Sequence, residues 1–313
     1  MKNIKKLPFI LSIISLLTIF SPANADIKVV ASIKPIHSLV SYLMDGVGKP
    51  DLIVDGYASP HGFAMKPSHA KMLQNADLIF WVGEDLENFL EKPLKSIAKN
   101  AEKIELMEIN GLKKLKFRER NIFESHDDHG HKEKKHDDHG HEKHAHGEHD
   151  PHIWLDPLNA KVILSEMAEH LVEKDPSNAS TYKSNLKKAH KALDNLTKKI
   201  KSDLKGDFKS IVFHDAYQYF EKRFDVNVLG AFTVNTDVLP GAEQLAEIRE
   251  IIEHDKITCV FSEPQFNPDI IKAVAKDMKI STGVIDPLGA TLDPGKDLYF
   301  DLIRNMYASF KSC

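Results

Sequence analysis

Apolar and polar positions along the chain fall into two successive rounds of strand and helix. In the first round, Ile27 to Ser32 and Asp51 to Val54 read as strands around a helix over Pro35 to Asp45. A helix over Pro67 to Ala76, a strand over Leu78 to Val82, an amphipathic helix over Leu86 to Lys99 and a strand over Ile104 to Glu108 follow. Pro157 to Lys174 reads as a helix, interrupted at Asp175-Pro176-Ser177. A longer one runs from Asn178 to Leu204, with Tyr182, Leu186, Ala189, Leu193, Leu196 and Ile200 forming one apolar stripe. The second round places strands at Ser210 to Phe213, Val226 to Ala231, Thr258 to Phe261 and Thr282 to Ile285. Helices are expected over Tyr217 to Arg223, Gly241 to His254, Asp269 to Asp277 and Leu298 to Phe310. Such alternation predicts an α/β fold of βαβ units with parallel-rich sheets flanked by helices. The expected organisation is an N-terminal lobe over 26–176, a linking helix over 177–205 and a C-terminal lobe over 206–313.

Two segments break the pattern. Met1 to Ala25 has a basic start at Lys2, Lys5 and Lys6, an apolar run from Leu7 to Phe20, and the small-x-small end Ala23-Asn24-Ala25. These are the parts of a cleaved secretory signal, which implies a periplasmic or secreted chain starting at Asp26. No cysteine follows the run, so no lipid anchor is expected. Cleavage removes three lysines and no acid, taking the formal charge from −4 to −7. That balance argues against nucleic acid as a partner. The second segment, 124–150, is a low-complexity insertion expected to be disordered without metal. In it His126-Asp127-Asp128-His129-Gly130-His131 recurs as His136-Asp137-Asp138-His139-Gly140-His141, with His144, His146 and His149 beyond.

Imidazole binds borderline-soft divalent metals, so a tract this rich in histidine points to a transition metal, zinc first. The tract itself is expected to bind zinc weakly, because ordering it subtracts from affinity. A tighter site is expected where ligands bind in open parallel sheets, in the crevice outside the carboxyl ends of the strands. His61 follows the second strand, His214 ends the fifth, Asp286 ends the last, and His152 follows the tract. Three imidazoles and an oxygen suit tetrahedral zinc. His37 reads as structural, and His69, His170, His190 and His254 as helix-surface residues. Glu263 and Asp215 read as acids that hold strand ends or orient a histidine. Trp81, Trp154 and Phe261 read as core. Cys259 and Cys313 are the only cysteines, and an exported chain with two usually pairs them.

The chain resembles the ZnuA family, the periplasmic zinc-binding proteins of bacterial zinc ABC transporters, within the metal-binding cluster of solute-binding proteins. The resemblance is carried by Ala31-Ser32-Ile33-Lys34-Pro35, Ser59-Pro60-His61-Gly62-Phe63 and Gln74-Asn75-Ala76-Asp77-Leu78. It continues through Trp81-Val82-Gly83, the histidine tract, His152-Ile153-Trp154-Leu155 and Val212-Phe213-His214-Asp215-Ala216-Tyr217. Cys259 to Phe266 and Asp286-Pro287-Leu288-Gly289 complete it. It implies two lobes joined by a rigid helix, metal between them, and His61, His152 and His214 as ligands. It further implies a monomer that delivers Zn2+ to a membrane permease, and a disulfide between Cys259 and Cys313. Manganese-binding relatives carry a carboxylate at the position of His214. Some zinc members carry Glu where this chain has Pro60, which leaves the fourth ligand to Asp286 or water. An enzyme is not expected: a zinc hydrolase needs an open coordination position beside a base, and no His-Glu-x-x-His occurs.

Overall fold

The computed structural model describes residues 27–118, 120–123, 147–206, 208–234, 236, 240–276 and 278–312. The expected signal segment, His126, His129, His131, His136, His139, His141, His144 and His146, and Cys313 lie outside the described residues.

The first sheet contains β1 (Val29–Ile33), β2 (Asp51–Val54), β3 (Leu78–Trp81) and β4 (Glu102–Glu105), in the order β2-β1-β3-β4 with every pair parallel. β1 reads Val-Val-Ala-Ser-Ile and is buried along its whole length, as a central parallel strand covered on both faces must be. Helices α1 (Lys34–Leu43), α2 (Pro67–Asn75) and α3 (Glu84–Ser96) connect these strands. α1 and α2 each open with proline in the first turn, where a missing N–H is harmless. The second sheet repeats the plan with β5 (Lys209–His214), β6 (Asn227–Thr233), β7 (Cys259–Ser262) and β8 (Ser281–Val284), ordered β6-β5-β7-β8 and again all parallel.

Between the sheets lie α4 (Pro157–Lys174) and α5 (Ala179–Asp203). Asp156 caps α4 by accepting from Leu158 N–H. The stripe Tyr182, Ala189, Leu193, Leu196, Ile200 of α5 is buried, and α5 packs on α4, α1 and the final helix. That helix, α9 (Leu298–Ser312), also packs on α1, where Tyr299 N–H donates to Ser38 Oγ at 2.8 Å. The remaining helices, α6 (Gln218–Phe224), α7 (Ala242–His254) and α8 (Asp269–Ala275), belong to the second half. Among the described residues, no helix is long and apolar enough to cross a membrane.

Long-range polar contacts lace the lobes together. Arg223 on α6 grips Asp156 with two hydrogen bonds of 2.6 Å. Residues 121–123, from the first half, lie along β6: Phe123 N–H donates to Leu229 O and Ala231 N–H to Asn121 O. Arg118, also from the first half, inserts between Asp215 (2.8 Å) and Glu221 (2.6 Å). Burial pushes both carboxyls up to about 7 against the pull of the guanidinium. Burial also opposes the charge on Arg118, yet Glu221 and Asp215 together hold its pKa above the usual value. One cation shared by two buried acids accounts for both directions.

The observed elements correct the expectations at a few places. Leu106–Glu108, expected to complete β4, forms a 3₁₀ turn instead, because the pairing with β3 begins two residues earlier, at Glu102. His69 is buried rather than exposed: its Nδ1 accepts from Lys66 N–H and its ring stacks on Phe63. The end of the expected disordered insertion, Gly147 to Asp150, is ordered. Gly147 N–H donates to Asp85 at 2.7 Å, His149 forms a β-bridge with Lys116, and Asp150 N–H donates to Leu115 O at 2.8 Å.

Candidate metal centre

Strand ends and the turns that follow them deliver the site. β2 runs out into an irregular loop, and there His61 N–H donates to Ser59 Oγ at 3.3 Å. His214 is the last residue of β5. His152 precedes the 3₁₀ turn Ile153–Leu155 that leads into α4. The ligating atoms of these three histidines lie within 4.8 Å of one another. Their rings form a near-regular triangle, with centroids 5.6, 5.8 and 5.2 Å apart.

The spacing of the nitrogens is informative. The Nε2 atoms of His152 and His214 are 3.3 Å apart. Two nitrogens bound at about 2.0–2.1 Å to a tetrahedral zinc ion stand about 3.3–3.4 Å from each other. The observed separation therefore fits such an ion without rearrangement of the pair.

Each of these two rings leans its other nitrogen on a carboxylate. His152 Nδ1 is 2.7 Å from Asp150 Oδ1, and His214 Nδ1 is 2.7 and 2.9 Å from the oxygens of Glu263. Donating Nδ1–H to a carboxylate fixes the tautomer whose Nε2 lone pair faces the cleft, and makes that lone pair more basic. The carboxylates are held in turn. Gln218 donates to Asp150 Oδ2 at 3.1 Å, and Tyr217 donates to Glu263 Oε1 at 2.9 Å. Burial, aided by neighbouring His214, drops the His152 pKa well below the histidine range. Burial acts on His214 in the same direction, but Glu263, with Asp215 and Asp150 behind it, leaves the pKa raised. Burial pushes the Asp150 carboxyl up to about 7.

Apolar walls surround the histidines, from Pro60, Leu86, Trp154, Phe266, Pro287 and Leu288. Trp154 Nε1–H donates to Pro287 O at 2.8 Å, which ties the wall of one lobe to the other. Low local dielectric strengthens ligand–ion attraction.

Asp286 is not brought into the three-histidine group. Its Oδ1 accepts from Leu288 and Gly289 N–H at 3.0 Å and from Gln265 at 2.9 Å, while Oδ2 accepts from Ala290 N–H at 2.6 Å. The turn after β8 presents three backbone N–H groups that need an acceptor, and the aspartate serves them. Buried Lys34 then holds the far end of that turn, donating to Ala290 O and Leu292 O at 3.1 and 2.7 Å. Of the histidines read as bystanders, His37 is buried against Pro50 O, His190 meets Lys161 O, and His254 is exposed. Cys259 is disulfide-bonded.

Asp150 was not singled out by sequence reasoning, which placed it at the end of the histidine tract. The available signal is its spacing: an acid two residues before His152, across Pro151, can accept both the backbone N–H and the ring N–H of that histidine. Both contacts are present, at 3.0 and 2.7 Å.

Two parallel four-stranded sheets and a histidine cluster walled by apolar side chains from both halves of the chain define a bilobed metal-binding protein of the solute-binding kind. The chain belongs to the ZnuA family, described as zinc-uptake complex component A periplasmic, which matches residues 29–313. It is 45% identical over 304 residues to the high-affinity zinc uptake system protein ZnuA of Brucella abortus (strain 2308), covering 91% of each chain. It is 37% identical over 307 residues to the protein of that name from Yersinia pestis, covering 96% of this chain and 95% of the relative. The fold matches a crystal structure of ZnuA with a TM-score of 0.73 at 22% identity, over 91% of this chain and all of that one. It also matches the solute-binding protein FpvC of Pseudomonas aeruginosa in complex with Mn2+, with a TM-score of 0.75 at 17% identity, over 92% and 98% of the two chains.

Proposed function

We propose that this protein captures Zn2+ in the periplasm through His61, His152 and His214 and delivers it to the membrane permease of a zinc ABC transporter. The observation that carries this reading is the 3.3 Å Nε2–Nε2 separation of two carboxylate-backed histidines from opposite lobes, with a third imidazole completing the triangle. Solvent supplies the fourth ligand, since both oxygens of Asp286 are engaged by backbone and Gln265. Three imidazoles favour zinc over manganese, which prefers oxygen. High-affinity zinc uptake is the role named for relatives that align over nine-tenths of their length. The cargo ion binds and leaves unchanged, so the site works as a carrier. Disulfide-bonded Cys259 supports the pairing with Cys313, the only other cysteine of the sequence, which stays part of this proposal.

The test is metal analysis of untagged protein from periplasmic extract, followed by zinc and manganese titration of the stripped chain. One tightly held zinc, with manganese bound far more weakly, is expected. Equal affinity for the two ions would sink the proposal.

A further inference from the structure

Gln265 sits in the wall of the histidine cavity. It lies two residues after Glu263, which holds His214, and just before Phe266, whose ring centroid is 5.9 Å from that of His214. Its amide has one workable orientation. Nε2 donates to Asp286 Oδ1 at 2.9 Å, and a carboxylate that already accepts three backbone N–H groups has no proton to give an amide oxygen. Oε1 is therefore the end left over. It is buried and has no hydrogen-bond partner among the described residues.

A buried carbonyl oxygen without a donor is costly, and each such atom needs an explanation. Nearby N–H groups are spent elsewhere. Trp154 Nε1–H goes to Pro287 O, and the Nδ1–H groups of His152 and His214 go to Asp150 and Glu263. With an ion in the cleft, both imidazoles turn lone pairs toward it. The ion itself brings the missing donor, because a water bound to zinc is a polarised O–H group.

We propose that Gln265 Oε1 accepts a hydrogen bond from the water that completes the shell of the bound zinc, and so decides what can occupy that fourth position. The inference rests on the three-histidine reading of the cleft. Water has protons to offer Oε1. Chloride and other small anions have none, and they meet its lone pairs instead. Gln265 is thus a positioning residue that touches the water and not the ion. Asp286 acts at one further remove, by fixing the amide with its oxygen toward the cleft. The cargo keeps an exchangeable water as its fourth ligand, and small anions are disfavoured there.

The experiment uses the intact chain loaded with one equivalent of Co2+, whose visible absorption reports its ligands, and titrates it with sodium azide. Gln265→Met and Gln265→Leu should each bind azide about 3–10-fold more tightly than the unaltered protein, the worth of one hydrogen bond. Zinc affinity against a chelator should fall by no more than that factor. A merely structural defect would loosen the ion without tightening the anion. Equal azide affinity in the unaltered protein and both variants, with the tight ion still held, would overturn this inference alone. A zinc loss of about 100-fold or more in Gln265→Met would make Gln265 itself a ligand and also overturn it. If the unaltered protein gave no four-coordinate cobalt spectrum, the three-histidine reading would fall and this inference with it.

Discussion

His152 and His214 are buried, stand on or beside regular elements, and rest their Nδ1 atoms on Asp150 and Glu263. His61 is half-buried and rides on the irregular loop between β2 and α2, where Tyr57 is exposed. The first two are in place before an ion arrives, and the third is carried by a segment with few regular hydrogen bonds. Preorganised ligands lose little freedom on binding, whereas a loop residue has to be ordered. The difference points to a division of labour. Under the proposed function, the buried pair would set geometry and metal preference, and the loop histidine would close the shell and govern how the ion enters and leaves.

The largest expected effect comes from removing a ligand. Structural zinc sites are worth roughly 10–16 kcal/mol, so each of four ligands contributes about 3 kcal/mol, or about 100-fold or more in affinity. His152→Ala and His214→Ala should each lose at least that much in competition with a chelator. His61→Ala should lose less at equilibrium, and its main signature should be faster zinc release in stopped flow. Equal losses and equal release rates for all three variants would erase the division.

Next come the supporting carboxylates. Asp150→Asn and Glu263→Gln should each weaken zinc by about 10–100-fold while the fold is retained, because outer partners of ligating histidines cost that much when removed. Ser59→Ala, which removes the acceptor of His61 N–H, should cost well under tenfold. A Ser59 effect as large as the Glu263 effect would place the rigid part of the site on the loop.

Acid should separate the two buried histidines. Zinc needs an unprotonated Nε2. Glu263 raises the His214 pKa, so protons begin to compete with zinc above the ordinary histidine value of about 6.5, and affinity falls as pH drops through that range. The sign for His152 is opposite. Its pKa is depressed, so it stays neutral and adds no proton competition there. Glu263→Gln removes the raising charge, and the midpoint of the affinity profile should move to lower pH even as affinity at high pH declines. A midpoint that stays put in Glu263→Gln would show that another group controls the acid limb.

The smallest effect on zinc is expected at Asp286. Asp286→Asn should change affinity less than tenfold. It should still lower thermal stability, by roughly 1–3 kcal/mol, as backbone N–H groups lose a charged acceptor. A loss on the scale of His214→Ala would return the aspartate to the ligand shell.

Much of this architecture is legible in the chain, for local reasons. Pro157 to Lys174 has Pro at its start and a capping Asp before it, and the helix occupies those residues. The strand Asp51 to Val54 likewise occupies its expected bounds, set between turn-forming neighbours. Parallel sheets put site residues at strand ends, which is why His61 and His214 stand out before any coordinates are known. What stays hidden depends on distant partners. Nothing local says that Arg118, in a mostly basic run, will bury itself between Asp215 and Glu221. Asp286 shares its strand-end position with His214, and nothing local says that its oxygens will serve three backbone donors. His69 looks like a surface residue because its half-buried partner, Phe63, lies in an irregular loop with no periodicity to read.

The most direct test of the three-histidine cleft is zinc-edge X-ray absorption on protein from which residues 124–146 have been deleted, loaded with one equivalent of zinc. The account predicts full retention of that zinc, with three imidazole nitrogens and one oxygen at about 2.0–2.2 Å. A shell with fewer than three imidazoles, or failure of the shortened chain to hold its equivalent, would contradict it.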